Sequence, residues 1–365
     1  MPTNHNLDKW FLQYDTRAVQ GRKNSLFGGS AKKPLKQGTA LANLCAAARK
    51  HPEVMVKIPK RHSQNSKGMK GIRNHLDYVS RNGKVKLENQ NGDKLNGKKE
   101  VKKQLDFWRN AFGIDEETKH REALNIVLSM PAGTPPQAVL NAAREFAAEQ
   151  FKGHQYAFGL HHESDNPNEP PHPHVHLCVL MRDDLGQRIN PRKNDLFEWR
   201  VRFAEKLRDE GIQCAATRRQ HRGKTPKAHN GTVLAIDRRL NEQHKKQPEQ
   251  YRPHSHITAA KLHTLGNAVK AGQRPVNLYK DKSQVTRTAL LKRYKTLARQ
   301  LYAAGMKTEA KDISKLAQQL ADAGYDTRMQ QQYDKLHTIL MQNQHQQQQS
   351  PKNLSILQQN DEIGR

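Results

Sequence analysis

Residues 154–181, HQYAFGLHHESDNPNEPPHPHVHLCVLM, decide the fold. The runs HQYAFGLHH (154–162) and HVHLCVLM (174–181) flank a link, ESDNPNEPPHP, whose prolines and polar residues break regular structure. Each run is long enough for a strand and short for a helix, and together they predict two neighbouring strands joined by a hairpin-like link. In the second run His174 and His176 alternate with Val175 and Leu177. Period-two geometry puts both imidazoles on one face of the strand and the apolar pair on the other.

Working outward, ALNIVLSMP (123–131) is an apolar, β-branched run stopped by Pro131, and predicts another buried strand. PPQAVLNAAREFAAEQF (135–151) opens on proline and places Val139, Leu140, Ala143, Phe146 and Ala147 at helical spacing. DLFEWRVRFAEKLRDEG (195–211) predicts a second helix stopped by Gly211, with Trp199, Phe203 and Leu207 in the core. GIRNHLDYVSRNG (71–83) and KKQLDFWRNAFG (102–113) predict two more helices upstream, and Trp108 fits either a core or a stacking position. The β–α–β–β–α order predicts an α+β fold: a central, mostly antiparallel sheet with helices on one face and the other face left for a site. The expected organisation is a basic, flexible arm over 1–70 interrupted by a short Ala/Leu-rich helix around Thr39–Arg49, a catalytic domain over 71–222, a helical accessory region over 223–340, and a disordered Gln-rich tail over 341–365.

Composition bounds the partner. Sixty-three Lys and Arg against thirty-five Asp and Glu give a formal charge of +28, which attracts polyanions and releases counterions from a phosphate backbone. No run approaches the ~20 apolar residues of a membrane span, and no amphipathic or lipid anchor is evident. Cys45, Cys178 and Cys214 are far apart and odd in number, which excludes a disulfide framework and a CxxC zinc site. The expected compartment is the cytoplasm. No GxxxxGK[ST] loop is present, which argues against a fused helicase motor.

The chemistry concentrates in the histidines. Two imidazoles one pleat apart can share one divalent ion, and a third ligand would come from the end of the preceding strand, His161 or His162. His172 reads as a linker residue. Nitrogen ligands suit Zn, Ni, Co or Mn, and the nearby Glu163 and Asp165 widen the choice toward Mg or Mn.

These residues carry a resemblance. AFGLHHESD…HPHVHL is similar to the histidine motif of the relaxases, the mobilisation endonucleases of the HUH superfamily, most of all to their VirD2-like, plasmid-mobilisation branch. NIVLSMPAGTPPQAVLNAAREFAAEQF before it and GQRINPRKNDLFEWRVRFAEKLRDEGI after it agree, so the resemblance covers roughly residues 70–220. It implies an HUH relaxase-like fold, one divalent metal ion (Mg or Mn in use) on His161, His174 and His176, and a nucleophilic tyrosine upstream. RNHLDYVSRNG is similar to the tyrosine motif and puts Tyr78 in that position. An ordinary phenol, with a pKa of ~10, needs a base and a polarised phosphate to attack. The implied reaction is transesterification, leaving a 5′-phosphotyrosine and a free 3′-hydroxyl. The family's acid falls here on Glu163, with Asp165 as second choice.

Arg73 and Arg81 flank Tyr78, and Arg188, Arg192, Lys193, Arg218, Arg219 and Arg222 follow the histidines; all are candidates to track phosphates of single-stranded DNA. The resemblance implies a transfer origin as substrate, relaxosome accessory proteins and a type IV secretion coupling protein as partners, and export with the transferred strand. Two other readings compete. One is a non-enzymatic basic nucleic-acid-binding protein with a structural histidine site. The other is a rolling-circle replication initiator, against which RINPRKNDLFEWR argues.

Overall fold

In the computed structural model, which describes residues 4–12, 35–59, 67–162, 171–226 and 230–349, the sheet has six strands. They are β1 (Met55–Lys57), β2 (Leu87–Asn89), β3 (Lys94–Leu95), β4 (Ala123–Ser129), β5 (His154–His161) and β6 (His174–Asp183), in spatial order β1-β4-β6-β5-β2-β3. Every neighbouring pair is antiparallel. The hairpin expected from residues 154–181 is the centre of the sheet, β5 beside β6, and the fold is α+β.

The helices cover both faces, unequally, where one covered face was expected. Val175, Leu177 and Val179 of β6 point one way and are fully buried. On that side lie the helices α5 (Pro136–Gln150), packed on β6, and α6 (Lys193–Asp209), packed on α5. Trp199, Phe146, Phe151 and Phe203 interlock edge-to-face between these helices, Phe151 and Trp199 with ring centroids 5.3 Å apart, a geometry worth about 0.5–1.5 kcal/mol per pair beyond burial. Arg144 of α5 grips the buried Glu88 of β2 with two guanidinium nitrogens, at 2.6 and 2.9 Å, tying helix to sheet. On the other face, α3 (Gly68–Val79) and α4 (Gly97–Phe112) pack Ile72, Leu76, Val79, Leu105 and the fully buried Trp108 against Ala157, Cys178 and Leu180. They cover the β5 and β6 part of this face up to His161 and His176, while β4 alternates between half-buried and buried side chains and β6 is buried on both sides.

The segment expected as a flexible arm is, over much of its described length, part of this structure. α1 (Asn4–Leu12) presents Asp8, whose carboxylate accepts from the amides of Gly38 and Ala40 at the start of α2 (Thr39–Ala48), where unpaired N–H groups and the helix dipole favour negative charge. α2 is buried along nearly its whole length, and β1 pairs with β4 with Met55 opposite Ser129 and Lys57 opposite Val127. Ala-rich α2 has no polar face to keep it in water, so burial follows from its composition.

The chain divides into two compact units: residues 1–222 with 293–319, and 223–292 with 320–365. The accessory region expected over 223–340 is therefore split. In the first unit the Tyr294 hydroxyl donates to the His221 carbonyl and Arg293 stacks over Trp10. The second holds α7 (Gly231–Lys246), α8 (His256–Lys270) and α11 (Arg328–Gln349). The helices α9 (Lys280–Ala303) and α10 (Lys307–Asp322) contribute residues to both units. In the second unit Arg274 pairs with Asp326 and Asp334, and Arg287 stacks on Tyr325. Among the described residues no helix is long and apolar enough to cross a membrane.

Candidate active site

The β5–β6 register builds the histidine cluster. His161 lies directly opposite His174, and His176 opposite Gly159, so three imidazoles share one face of the hairpin. One nitrogen from each of His161, His174 and His176 lies within 4.8 Å of the others. That spread suits three nitrogen donors around one ion with small rotamer adjustments, since metal–nitrogen bonds of ~2.0–2.1 Å place ligands 3–4 Å apart. His162 is the next residue along, exposed and beyond the last ladder pair.

Backbone carbonyls orient two of the rings, as hydrogen-bond partners behind the ligands do in metal sites. His174 Nδ1 lies 2.9 Å from the His172 carbonyl, so the residue expected to be a linker histidine supports the cluster through its backbone. His161 Nε2 lies 2.7 Å from the carbonyl of Val79, the last residue of α3. His161 and His176 are buried and His174 is half-buried, which removes water competition while leaving one edge reachable.

α3 brings Tyr78 to this cluster. Its apolar residues Ile72, Leu76 and Val79 recur at helical spacing and bury, which turns Tyr78 outward: it is 58% exposed, unusual for an aromatic beside a core. Its ring centroid is 5.3 Å from that of His176, perpendicular to it, and 6.0 Å from that of His161. His75, one turn earlier and buried, lies parallel to the Tyr78 ring at 6.5 Å and edge-on to His176 at 6.2 Å. The helix stops at once: Arg81, Asn82 and Gly83 all take left-handed backbone, so the chain turns away immediately after Tyr78 and Val79. Gly159 makes this approach possible. A Cβ there would sit 2.6 Å from Leu87 Cδ2 and 3.1 Å from Val79 Cγ1.

The basic residues divide. Arg218 is buried, its guanidinium 4.0 Å over the Phe197 ring and donating to the Phe11 and Leu12 carbonyls, so it docks α1. Arg222 pairs with Glu53, which also takes Arg200. Arg73 forms a bidentate pair with Glu116 at the surface, and Arg188 reaches Glu122. The Arg192 amide donates to Asp195 at the start of α6. Lys193 and Arg219 are exposed, and Arg81 is half-buried just past the end of the tyrosine helix. Glu163 and Asp165 lie outside the described residues. A cleft of about 800 Å³ opens at the other end of β6 from the convergent histidines, bordered by Arg121, Arg182, Arg188 and Asn190.

Several residues of the histidine face escaped the sequence reading. Ser129 is directly opposite His174 and Val127 opposite His176 on β4, and Met55 and Lys57 continue the same face on β1. Asn125, Val127 and Ser129 are half-buried and Met55 and Lys57 exposed, an uncovered strip beside the imidazoles. The alternation of β4 holds a signal for the first three; β1, three residues in a basic segment, holds none.

Residues 78–212 match the family described as the nuclease domain of the MobA/VirD2-like relaxases, a span that begins at Tyr78 and contains all three histidines. Among curated proteins, the T-DNA border endonuclease VirD2 of Agrobacterium fabrum (strain C58 / ATCC 33970) is 30% identical over 180 residues, which is 44% of this chain and 39% of that protein. VirD2 of Rhizobium radiobacter is also 30% identical, over 178 residues covering 43% of this chain and 40% of its own, and VirD2 of Rhizobium rhizogenes is similar at the same identity. The chain thus spans about two fifths of the length of these relatives. No solved structure matches.

Proposed function

We propose, for a chain whose residues 78–212 match the MobA/VirD2-like relaxase nuclease domain, that it nicks and rejoins one DNA strand at a transfer origin through Tyr78. The single observation that carries this reading is the meeting of an exposed tyrosine with three convergent histidines, Tyr78 at 5.3 Å from His176.

Tyr78 Oη attacks the scissile phosphorus, the phosphorus bond to the 3′ oxygen breaks, and the strand is left with a 5′-phosphotyrosine and a 3′-hydroxyl. The phenolic proton leaves Oη during attack, and a proton is delivered to the departing 3′ oxygen. Glu163, two residues beyond His161, is the proposed carboxylate partner in this transfer. His161, His174 and His176 would hold the divalent ion, Mg or Mn before Zn, Ni or Co; when bound it supplies Lewis-acid stabilisation of charge on the phosphate. The ester conserves the energy of the phosphodiester, so attack by the 3′-hydroxyl on the phosphotyrosine reseals the strand without ATP.

The uncovered strip of Lys57, Val127 and Ser129 supports a path for the unpaired strand beside the histidines, with Lys193, Arg219 and Arg81 as further phosphate contacts. Mobilisation of a plasmid or integrative element, with relaxosome proteins and a type IV secretion coupling protein as partners, extends the same reading.

The test is incubation with an oligonucleotide spanning the origin and Mn. Wild type is expected to give a covalent adduct that migrates slowly on a denaturing gel, and Tyr78→Phe none. Adduct formation by Tyr78→Phe sinks the assignment of the nucleophile. Absence of any adduct with wild type on a mapped origin sinks the activity.

A further inference from the structure

We infer that the hairpin of α7 and α8 is a docking surface for double-stranded DNA, separate from the chemistry at Tyr78. Residues 223–292 hold fourteen Lys and Arg against four Asp and Glu, a net charge of +10 within seventy residues. Their arrangement in α7 is not random. Val233, Ile236 and Leu240 recur at helical spacing on a half-buried side, and α8 packs on α7. Arg238, Arg239, Lys245 and Lys246 fall within about a third of the circumference on the other side, and all four are exposed. Glu242 is the one acid on that side, and it pairs with Lys245.

α7 buries no residue, so core packing does not explain this face. The hairpin is instead fixed by polar contacts of its own. The Asp237 carboxylate accepts from the Ser255 amide at 2.7 Å and the Thr258 hydroxyl at 2.6 Å, and the Asn230 side chain caps the first turn of α7 by accepting from Thr232 N. Asp237 is thereby consumed inside the hairpin, which leaves the outward side cationic.

Duplex DNA fits this surface better than an unpaired strand. Single-strand grooves interleave cations with aromatic rings on which bases stack, and neither α7 nor α8 contains Phe, Tyr or Trp. The four cations are spread over 238–246 of a rigid helix, roughly 12 Å, the scale of the major groove and the phosphates bordering it.

The experiment uses the full chain with the quadruple variant Arg238→Ala, Arg239→Ala, Lys245→Ala and Lys246→Ala. Binding to a duplex and to a single strand of equal length, neither carrying an origin, is titrated across salt concentrations. The expected result is a duplex affinity at least tenfold weaker and a log K against log salt slope shallower by about 0.9 for each phosphate no longer neutralised, up to ~3.6, with single-strand affinity within about twofold of wild type. The charge-preserving variant Arg238→Lys, Arg239→Lys, Lys245→Arg and Lys246→Arg is expected to bind duplex as wild type does. An unchanged duplex slope overturns the inference, as does an equal loss on both substrates or a quadruple-alanine variant that binds duplex normally but loses anionic vesicles. Because no nicking is read, failure here is distinguishable from failure of the proposed reaction.

Discussion

Replacing Gly159 should separate the stability of the fold from the alignment of its site. An added Cβ meets Leu87 Cδ2 at 2.6 Å and Val79 Cγ1 at 3.1 Å, where carbon pairs prefer about 3.5–4.0 Å. The tip of Leu87 can rotate away. Val79 cannot move alone, because its carbonyl engages His161 Nε2 and its neighbour is Tyr78. Gly159→Ala is therefore expected at the low end of the ~1–3 kcal/mol cost of overpacking, and Gly159→Val at the high end. If the branched side chain of Gly159→Val displaces the end of α3 by about 1 Å, single-turnover nicking should fall on the order of 100-fold, since misalignment of that size costs about that much. Urea unfolding gives the first quantity and a quenched nicking time course with saturating Mn gives the second. In a Leu87→Ala background the Leu87 part of the clash is relieved and the Val79 contact remains, so Gly159→Ala should cost less than in the wild type, a coupling that a double-mutant cycle reads directly. A Gly159→Val protein with wild-type stability and wild-type nicking would refute the reasoning.

Other outcomes follow from the same geometry. His221 is buried against Trp10 and Phe11, and burial, then Arg218 and Arg222, push its pKa down to about 3. The unfolded chain binds that proton near pH 6.5, so stability is unaffected above about 6.5 and falls by about 1.4 kcal/mol per pH unit as pH drops toward about 3. His221→Gln should lose that slope in unfolding titrations, and an unchanged slope counts against it. Arg218→Ala should cost roughly 2–3 kcal/mol by stranding the Phe11 and Leu12 carbonyls, with no change in the salt dependence of single-strand binding. Lys57→Ala should do the reverse, leaving stability within ~0.5 kcal/mol while lowering the single-strand salt slope by about 0.7. Mn at about 100 times its dissociation constant should stabilise the wild type by about 2.7 kcal/mol, and His174→Ala with His176→Ala should abolish that shift. A persisting shift would place the ion elsewhere.

The centre of the fold was legible because long-period signals survive in sequence. β4, β5 and β6 appear as apolar runs cut by proline and glycine, and α5 and α6 as helical repeats, with Trp199 buried as expected. The edges were not. β1, β2 and β3 have two or three residues each, too few to show a period, and their pairing is decided by neighbours distant in the chain. The N-terminal residues read as an arm because their charge was visible and the packing of α1 and α2 was not. The same blindness affected the arginines: a sequence displays Arg218 and Arg222 as charges but not Phe197 or Glu53 as their partners. Two of the three histidines were placed on one face by alternation alone. The third needed the register, which puts His161 directly opposite His174.

That register also frees the connection between the two strands. Twelve residues, 162–173, separate His161 from His174, yet the spacing of the imidazoles is set by the ladder of β5 and β6 and not by the length of this connection. Loop-closure entropy grows only logarithmically, so doubling the connection would cost about 0.6 kcal/mol. The stretch between Asp165 and His172 can therefore lengthen, shorten or change composition at little expense to the histidines the segment joins. It is a position where the protein can acquire new reach beside the histidines without renegotiating their spacing.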